Sequence, residues 1–286
     1  MQGVTQLEKP RRVPENPVWN TRFKRYAFAD GLSQELMGIF RDAESLVLSA
    51  DIIKNSRSTT AGIFVVDGKK YFIKRSNVNG VGERIRRIGR LPRSTCNLLA
   101  AEKLTSIGIF TPKVYLSLET GSYLMPAASY LITEYYPQPM TASENFAALL
   151  EYFGSAEMFA VAFCSMVINM HCNSMTHGDL KMCNIMAVKD NDGNFKLGLF
   201  DLDGVLWHGS SCPERKVIKE LARLASSFCM TGLALKIFDE SKIADYLQIW
   251  SRAYAAVGGI DYTDNALYRR RLARFMPDYN IQEILK

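Results

Sequence analysis

The sequence predicts an α+β chain in two lobes. An antiparallel sheet carrying a helix is expected over residues 21–136, and a mainly helical half over residues 137–286, with residues 1–20 as a separate polar arm. Three observations lead there. A length of 286 residues is generous for one small domain and natural for two lobes. Short apolar runs broken by turn residues fill the first half. Beyond residue 143, apolar side chains recur at helical spacing. The 48% hydrophobic and 22% charged content is that of a globular protein.

Along the chain, Pro10, Pro14 and Pro17 mark the arm as extended. Leu32, Leu36, Ile39 and Phe40 then give helical spacing over residues 31–42. Residues 46–75 read as three strands, opening at Leu46-Val47-Leu48 and continuing through Ile63–Val66 and Tyr71–Lys74. Asp67-Gly68 sets a hairpin turn between the last two, because both central positions of such a turn favour positive φ. Thr95 to Ile107 reads as a helix stopped by Gly108, with Pro112 beyond. Tyr130–Pro137 is a strand running into a linker, so the lobe boundary is expected near Tyr136. The apolar run Met158–Phe163 suits a buried helix, Phe195–Phe200 a strand, and residues 215–230 a helix with Leu221, Leu224, Ala225 and Phe228 on one face.

The chemistry concentrates in Thr176–Met186. His177, Asp179, Leu180 and Asn184 stand at the spacing His-x-Asp-Leu-x-x-x-Asn, in which the Asp accepts the proton of a hydroxyl nucleophile and the Asn offers an oxygen to a metal ion. Phe200-Asp201-Leu202-Asp203-Gly204 follows a short hairpin and places Asp201 where a second metal-binding carboxylate belongs. Asp179 alone could be a helix cap. Asp179, Asn184 and Asp201 together, on a loop, a hairpin and a strand end, point to phosphoryl transfer and to a bilobal protein-kinase-like fold. Lys74 ends an apolar strand, and Glu102 on the following helix is its candidate partner for holding phosphates. The turn before Ile63 has no glycine-rich pattern; Ser58 and Thr59, beside Ser56 and Thr60, are the candidates to cover a nucleotide there. Glu134 and Tyr136 mark the linker whose backbone would read an adenine. Arg75, Arg84, Arg86, Arg87, Arg90 and Arg93 form a basic run, of which Arg90 and Arg93 are candidates for an anionic acceptor.

The balance of 35 basic and 29 acidic residues gives +6, a modest bias toward anionic partners such as a nucleotide, a phosphorylated glycan or a membrane surface. No basic stripe with interleaved aromatics is present, so no nucleic acid is expected. Cys96, Cys164, Cys172, Cys183, Cys212 and Cys229 include no Cys-x-x-Cys pair and read as reduced thiols. The first residues lack a signal-peptide pattern, and the apolar run near 158–170 is shorter than the roughly 20 residues that span a bilayer. Membrane contact is therefore expected to be peripheral.

Over Ile63–Phe228 the chain resembles the bacterial lipopolysaccharide core kinases, the Kdo and heptose kinase family. The resemblance rests on Tyr71-Phe72-Ile73-Lys74-Arg75, on Arg90-Leu91-Pro92-Arg93-Ser94 leading into Ala100-Ala101-Glu102-Lys103-Leu104, and on Gly108-Ile109-Phe110-Thr111-Pro112. It continues through His177-Gly178-Asp179-Leu180, Asn184, Leu199-Phe200-Asp201-Leu202-Asp203, Arg215 and Glu220-Leu221-Ala222-Arg223-Leu224. The resemblance implies ATP-dependent phosphorylation of a sugar hydroxyl in the lipopolysaccharide inner core, at the cytoplasmic face of the inner membrane. It implies ATP and Mg2+ as cofactors and a glycolipid or sugar as acceptor. By position, Lys74 and Glu102 would orient phosphates, Asp179 would act as base, and Asn184 and Asp201 would bind magnesium. An aminoglycoside-type phosphotransferase, a protein Ser/Thr kinase and a nucleotide-binding scaffold are the alternatives.

Overall fold

The computed structural model describes residues 24–77, 93–121 and 126–285. The polar arm and Arg84, Arg86, Arg87 and Arg90 lie outside the described residues. The chain divides into two compact units. One runs to Lys103 and includes Pro112–Tyr136; the other comprises Leu104–Thr111 and Pro137–Lys286.

The first unit is an antiparallel sheet of six strands: β1 (Lys24–Phe28), β2 (Asp51–Asn55), β3 (Thr59–Val66), β4 (Lys69–Asn77), β5 (Val114–Gly121) and β6 (Pro126–Glu134). Their spatial order is β1-β5-β6-β4-β3-β2. Val66 pairs with Lys69 across Asp67-Gly68, both at positive φ, so the expected hairpin forms.

Side chains alternate between the two faces of this sheet. On one face Phe64, Tyr71, Ile73, Leu116, Leu118, Tyr130 and Ile132 pack against Phe40, Ala43 and Val47. Those three come from two short helices, α1 (Gln34–Arg41) and α2 (Ala43–Ser49). Phe40 is fully buried, its ring 5.2 Å from Tyr71 and 6.0 Å from Phe64 in edge-on contacts.

Leu46-Val47-Leu48 lies in α2, which corrects the expectation of a strand there. The Asp42 side chain accepts a hydrogen bond from the Ser45 N–H, and the Asp42 carbonyl from the Leu46 N–H. Ala43 and Val47, four residues apart, are the buried pair, while Leu48 is 76% exposed. The period is thus helical, and a three-residue apolar run is too short to reveal it. The first strand of the trio is instead β2, an edge strand exposed along its whole length, including Ile52 and Ile53. Its pairing with β3 is interrupted by a register shift between Ile52 and Lys54.

On the opposite face, the register aligns Ser117, Leu131, Lys74 and Ala61 in one row. Ser117 meets Thr95 of helix α3 (Arg93–Ser106) at 3.4 Å between hydroxyls. Lys74 therefore lies on the α3 side of the sheet. Its neighbour Arg75 lies on the other side, where it pairs with Glu44 of α2 at 3.1 Å and stands 5.8 Å over the Tyr130 ring.

The second unit is built on α4 (Phe146–Phe153), α5 (Ala156–Cys172), α6 (Glu214–Ala234), α7 (Ile243–Ala256), α8 (Ala266–Phe275) and the short α9 (Ile281–Ile284). Phe146, Phe159, Phe163, Phe228 and Trp250 from four of these helices form an aromatic core, with Phe159 stacked on Phe163 at 4.4 Å. Two small hairpin-like sheets sit on it. One pairs β8 (Ile185–Lys189) with β9 (Phe195–Leu199); the other pairs β7 (Met175–Thr176) with β10 (Leu206–Trp207). The segment after α3 is fastened here, the Phe110 carbonyl accepting from the Leu199 N–H at 2.8 Å and the Ile107 carbonyl from Asn169 at 2.9 Å. Among the described residues no single helix is long and apolar enough to cross a membrane. The bent pair α4–α5 passes by composition, but its Phe146, Phe159 and Phe163 are core residues.

Replacing Phe40 with Ala is expected to destabilise the sheet unit by about 3–5 kcal/mol, because it empties a fully enclosed aromatic site. Denaturant midpoints of the two proteins measure this, and a loss below about 1 kcal/mol contradicts it.

Candidate active site

The catalytic-loop segment is held from three directions within the helical unit. β7 delivers it: Thr176 pairs with Leu206, and its hydroxyl meets His208 Nε2 at 2.8 Å. His177, fully buried, then reaches the Phe200 carbonyl through Nε2 at 3.0 Å. A carbonyl only accepts, so Nε2 carries the proton in that contact. The His177 bond thereby ties the loop to the residue before Asp201.

Gly178 is where the chain permits no side chain. Its φ is +87°, and a Cβ there would stand 2.4 Å from the Gly204 carbonyl oxygen. Both polar groups of its residue are fixed by α6: the N–H donates to Glu220 Oε1, and the carbonyl accepts from Lys219 Nζ at 2.9 Å. Glu220 is only 2% exposed, and its other oxygen meets His171 Nε2 at 3.0 Å, with His171 Nδ1 2.9 Å from the Tyr254 hydroxyl. A carboxylate buried in an apolar helix needs such partners.

Asp179 follows, half exposed. Lys181 Nζ lies 2.7 Å from its Oδ2 and Arg223 Nε 3.5 Å from its Oδ1. Burial pushes its carboxyl upward, but Lys181, Arg223 and His177 outweigh it and hold the group below its ordinary value. At neutral pH it is therefore a carboxylate. Asn184 ends the loop in a short 3-10 turn, Met182–Asn184, anchored by the Met182 N–H donating to Ser227 Oγ at 3.0 Å. Its Nδ2 donates to the Asp179 carbonyl at 2.9 Å, and its Oδ1 faces only the weak Cys183 Sγ donor at 3.8 Å.

Asn184 and Asp201 flank the same end of the β8–β9 hairpin. Ile185 pairs with Leu199, and the Phe200 N–H donates to the Asn184 carbonyl at 3.2 Å. Asp201 is exposed in the left-handed conformation, φ 57° and ψ 53°, at the start of the turn Leu202–Gly204 that contains Asp203. The donors are one amide oxygen and one carboxylate. Among the described residues no three of His, Cys, Asp and Glu gather as a metal cluster. That set suits a hard divalent cation that keeps water and phosphate oxygens in its shell, and it fits Mg2+ better than a transition metal.

The sheet unit carries the other candidates. Lys74 is half-buried on the α3 face. Glu102 is exposed on α3, and among the described residues no ion pair joins it to Lys74. Arg93 opens α3 and its carbonyl accepts from Asn97 at 2.9 Å. The turn before β3 is largely self-satisfied: Thr59 N–H donates to Ser56, Ser56 N–H to the Thr59 carbonyl, and the Ser58 carbonyl accepts from the Asn77 N–H. Glu134 pairs with Tyr71 at the end of β6, and its carboxylate accepts from the Tyr136 hydroxyl at 2.9 Å. Burial and that contact push the Tyr136 phenol far above its ordinary range.

Lys181, Lys219, His171 and Ser227 carry no sequence expectation, and Glu220 and Arg223 entered it only as part of a resemblance. A signal was present. Residues 220, 223 and 227 form a polar stripe at three- and four-residue spacing, with Lys219 beside it, among the buried Leu221, Leu224, Ala225 and Phe228 of this helix.

An ionised carboxylate beside oxygen donors for a hard cation makes no covalent bond of its own; it orients a hydroxyl and manages charge, which is what phosphoryl transfer requires. Loop and fold together define a phosphotransferase of the kinase type. The solved structure of WaaP in complex with acyl carrier protein aligns with a TM-score of 0.57 at 19% identity, over 92% of this chain and 100% of that one. A glucosamine kinase aligns at 0.44 with 12% identity, over 85% of this chain and 78% of that one, a likeness too loose to add to the argument. No curated protein sequence matches the chain significantly. The Lipopolysaccharide kinase (Kdo/WaaP) family matches residues 43–250, and the chain belongs to that family. It is accordingly an ATP-dependent kinase of the lipopolysaccharide core.

Gly178→Ala is expected to remove nearly all turnover, because the new Cβ meets backbone and displaces the residue next to Asp179. Glu220→Ala strands the buried His171 and the Gly178 N–H; a stability loss of about 2 kcal/mol or more is expected. Steady-state rates and melting curves check the pair, and wild-type turnover in Gly178→Ala contradicts the account.

Proposed function

We propose that this protein transfers the γ-phosphoryl group of ATP to a hydroxyl of an inner-core sugar, Kdo or heptose, with Asp179 as the base. The observation that carries the reading is the Asp179 carboxylate, kept ionised between Lys181 and Arg223 on the loop that also presents Asn184. Asp179 would receive the acceptor proton while holding the attacking oxygen in line. Asn184 and Asp201 would hold Mg2+, which when bound supplies charge neutralisation to the phosphates. On the nucleotide side, Lys74 would meet the phosphates with Glu102 steadying it, Ser58 and Thr59 would edge the nucleotide, and the backbone at Glu134 and Tyr136 would read the adenine. Asp203, Arg90 and Arg93 are assigned to the acceptor side. The acceptor is a glycolipid or its free glycan, reached at the inner face of the inner membrane, where the excess of basic residues favours an anionic surface.

The deciding experiment incubates the protein with ATP and defined core glycans ending in Kdo or in heptose, and follows phosphate gain by mass spectrometry. Transfer to one of them supports the proposal and names the sugar; transfer only to peptides or to soluble antibiotics overturns it. Asp179→Asn is expected to lower turnover by about 10²–10⁴-fold with the fold intact. Asp201→Ala and chelation of divalent metal are each expected to abolish it, with Mg2+ restoring activity only to the chelated wild type. Undiminished transfer by a folded Asp201→Ala protein contradicts the metal assignment.

A further inference from the structure

We propose that Arg223 reads an anionic group on the acceptor sugar itself, a carboxylate or phosphate lying within about one sugar ring of the hydroxyl that is phosphorylated; this rests on the function proposed above. The guanidinium is already placed for it. Nε lies 3.5 Å from Asp179 Oδ1, so the side chain stands beside the attacking hydroxyl. The guanidinium carbon lies 5.0 Å from the centre of the Phe275 ring, which α8 supplies. The contact with the carboxylate on one side and the aromatic ring on another restrict where the guanidinium can go. Its terminal Nη groups make no hydrogen bond among the described residues, and a third of the side chain is exposed. A planar fork held on two sides with its outer donors unspent is the arrangement that binds a carboxylate or phosphate through two parallel hydrogen bonds.

The local charge balance points the same way. Lys181 and Arg223 both address one carboxylate, and Lys181 at 2.7 Å is the nearer of the two. Lys219, one helical turn before Arg223, is tied to the Gly178 carbonyl and adds a further positive charge. Three cations, Lys181, Lys219 and Arg223, thus stand against two carboxylates, Asp179 and Glu220, on the side of the loop supported by α6 and α8. A neutral sugar gains nothing from that excess; an acidic one does.

The test compares wild type, Arg223→Gln and Arg223→Lys on three acceptors: the native core glycan, the same glycan with its carboxyl groups reduced to alcohols, and the same glycan dephosphorylated. Wild type is expected to lose about 30-fold in kcat/KM on one modified acceptor, a loss typical of one charge-assisted bidentate contact. Arg223→Gln should show a similar loss on the native glycan and no longer distinguish the two. Arg223→Lys, which keeps the charge without the fork, should fall between. Which modified acceptor shows the effect tells carboxylate from phosphate. The proposal is overturned if Arg223→Gln still distinguishes the acceptors, if it lowers the rate on all three by one factor, or if it only raises KM for ATP. Should wild type phosphorylate none of these glycans, the proposed function falls. Calorimetric binding of the native glycan then still decides on Arg223, through retained or lost affinity in Arg223→Gln.

Discussion

The helical unit depends on one residue, Gly178, being gripped at both its N–H and its carbonyl. Glu220 takes its N–H and Lys219 its carbonyl, while Gly204 presses where a side chain would be. Adjacent residues of one helix thereby fix the orientation of the residue before Asp179. Glu220 is fixed in turn by His171, and His171 by Tyr254, so the grip extends through α5 and α7 into the aromatic core. Preorganisation of this kind is how a phosphotransferase lowers its barrier, since the reaction asks for position and field rather than for covalent help.

The same constraint explains the local sequence. The position between the histidine and the aspartate is a glycine because the backbone of the Leu202–Gly204 turn occupies the space beside it. β7 and β10 draw the two segments together, and the His177–Phe200 bond adds a second link. Asn184 and Asp201 then need no long-range device to approach: Asn184 immediately precedes β8, and Asp201 stands two residues past its partner β9.

Much of this was legible in the residues alone. The loop motif, the Asp67-Gly68 turn and the helix of residues 215–230 were readable because each has a local signature: a fixed spacing, a required φ, an apolar stripe. Leu46–Leu48 was not, because three apolar residues are compatible with either period and a cap at Asp42 decides between them. The partners of Asp179 were hidden for another reason. Arg223 lies 44 residues beyond it, and only the packing of α6 beneath the loop brings the two together. Glu102 is a candidate of another kind, picked by its place on a helix, where it stands exposed.

The border strand β2 leaves a mark on how the molecule behaves in company. Among the described residues its outer edge pairs with no strand, and Ile52 and Ile53 are exposed, the kind of rim onto which another chain can zip. Two features blunt it: the register slip between Ile52 and Lys54 bends the rim, and Asp51 and Lys54 bracket the isoleucines with charge. Asp51 and Lys54 thus guard this rim, and their exchange for apolar residues would invite edge-to-edge pairing while the His177–Asn184 loop stayed intact.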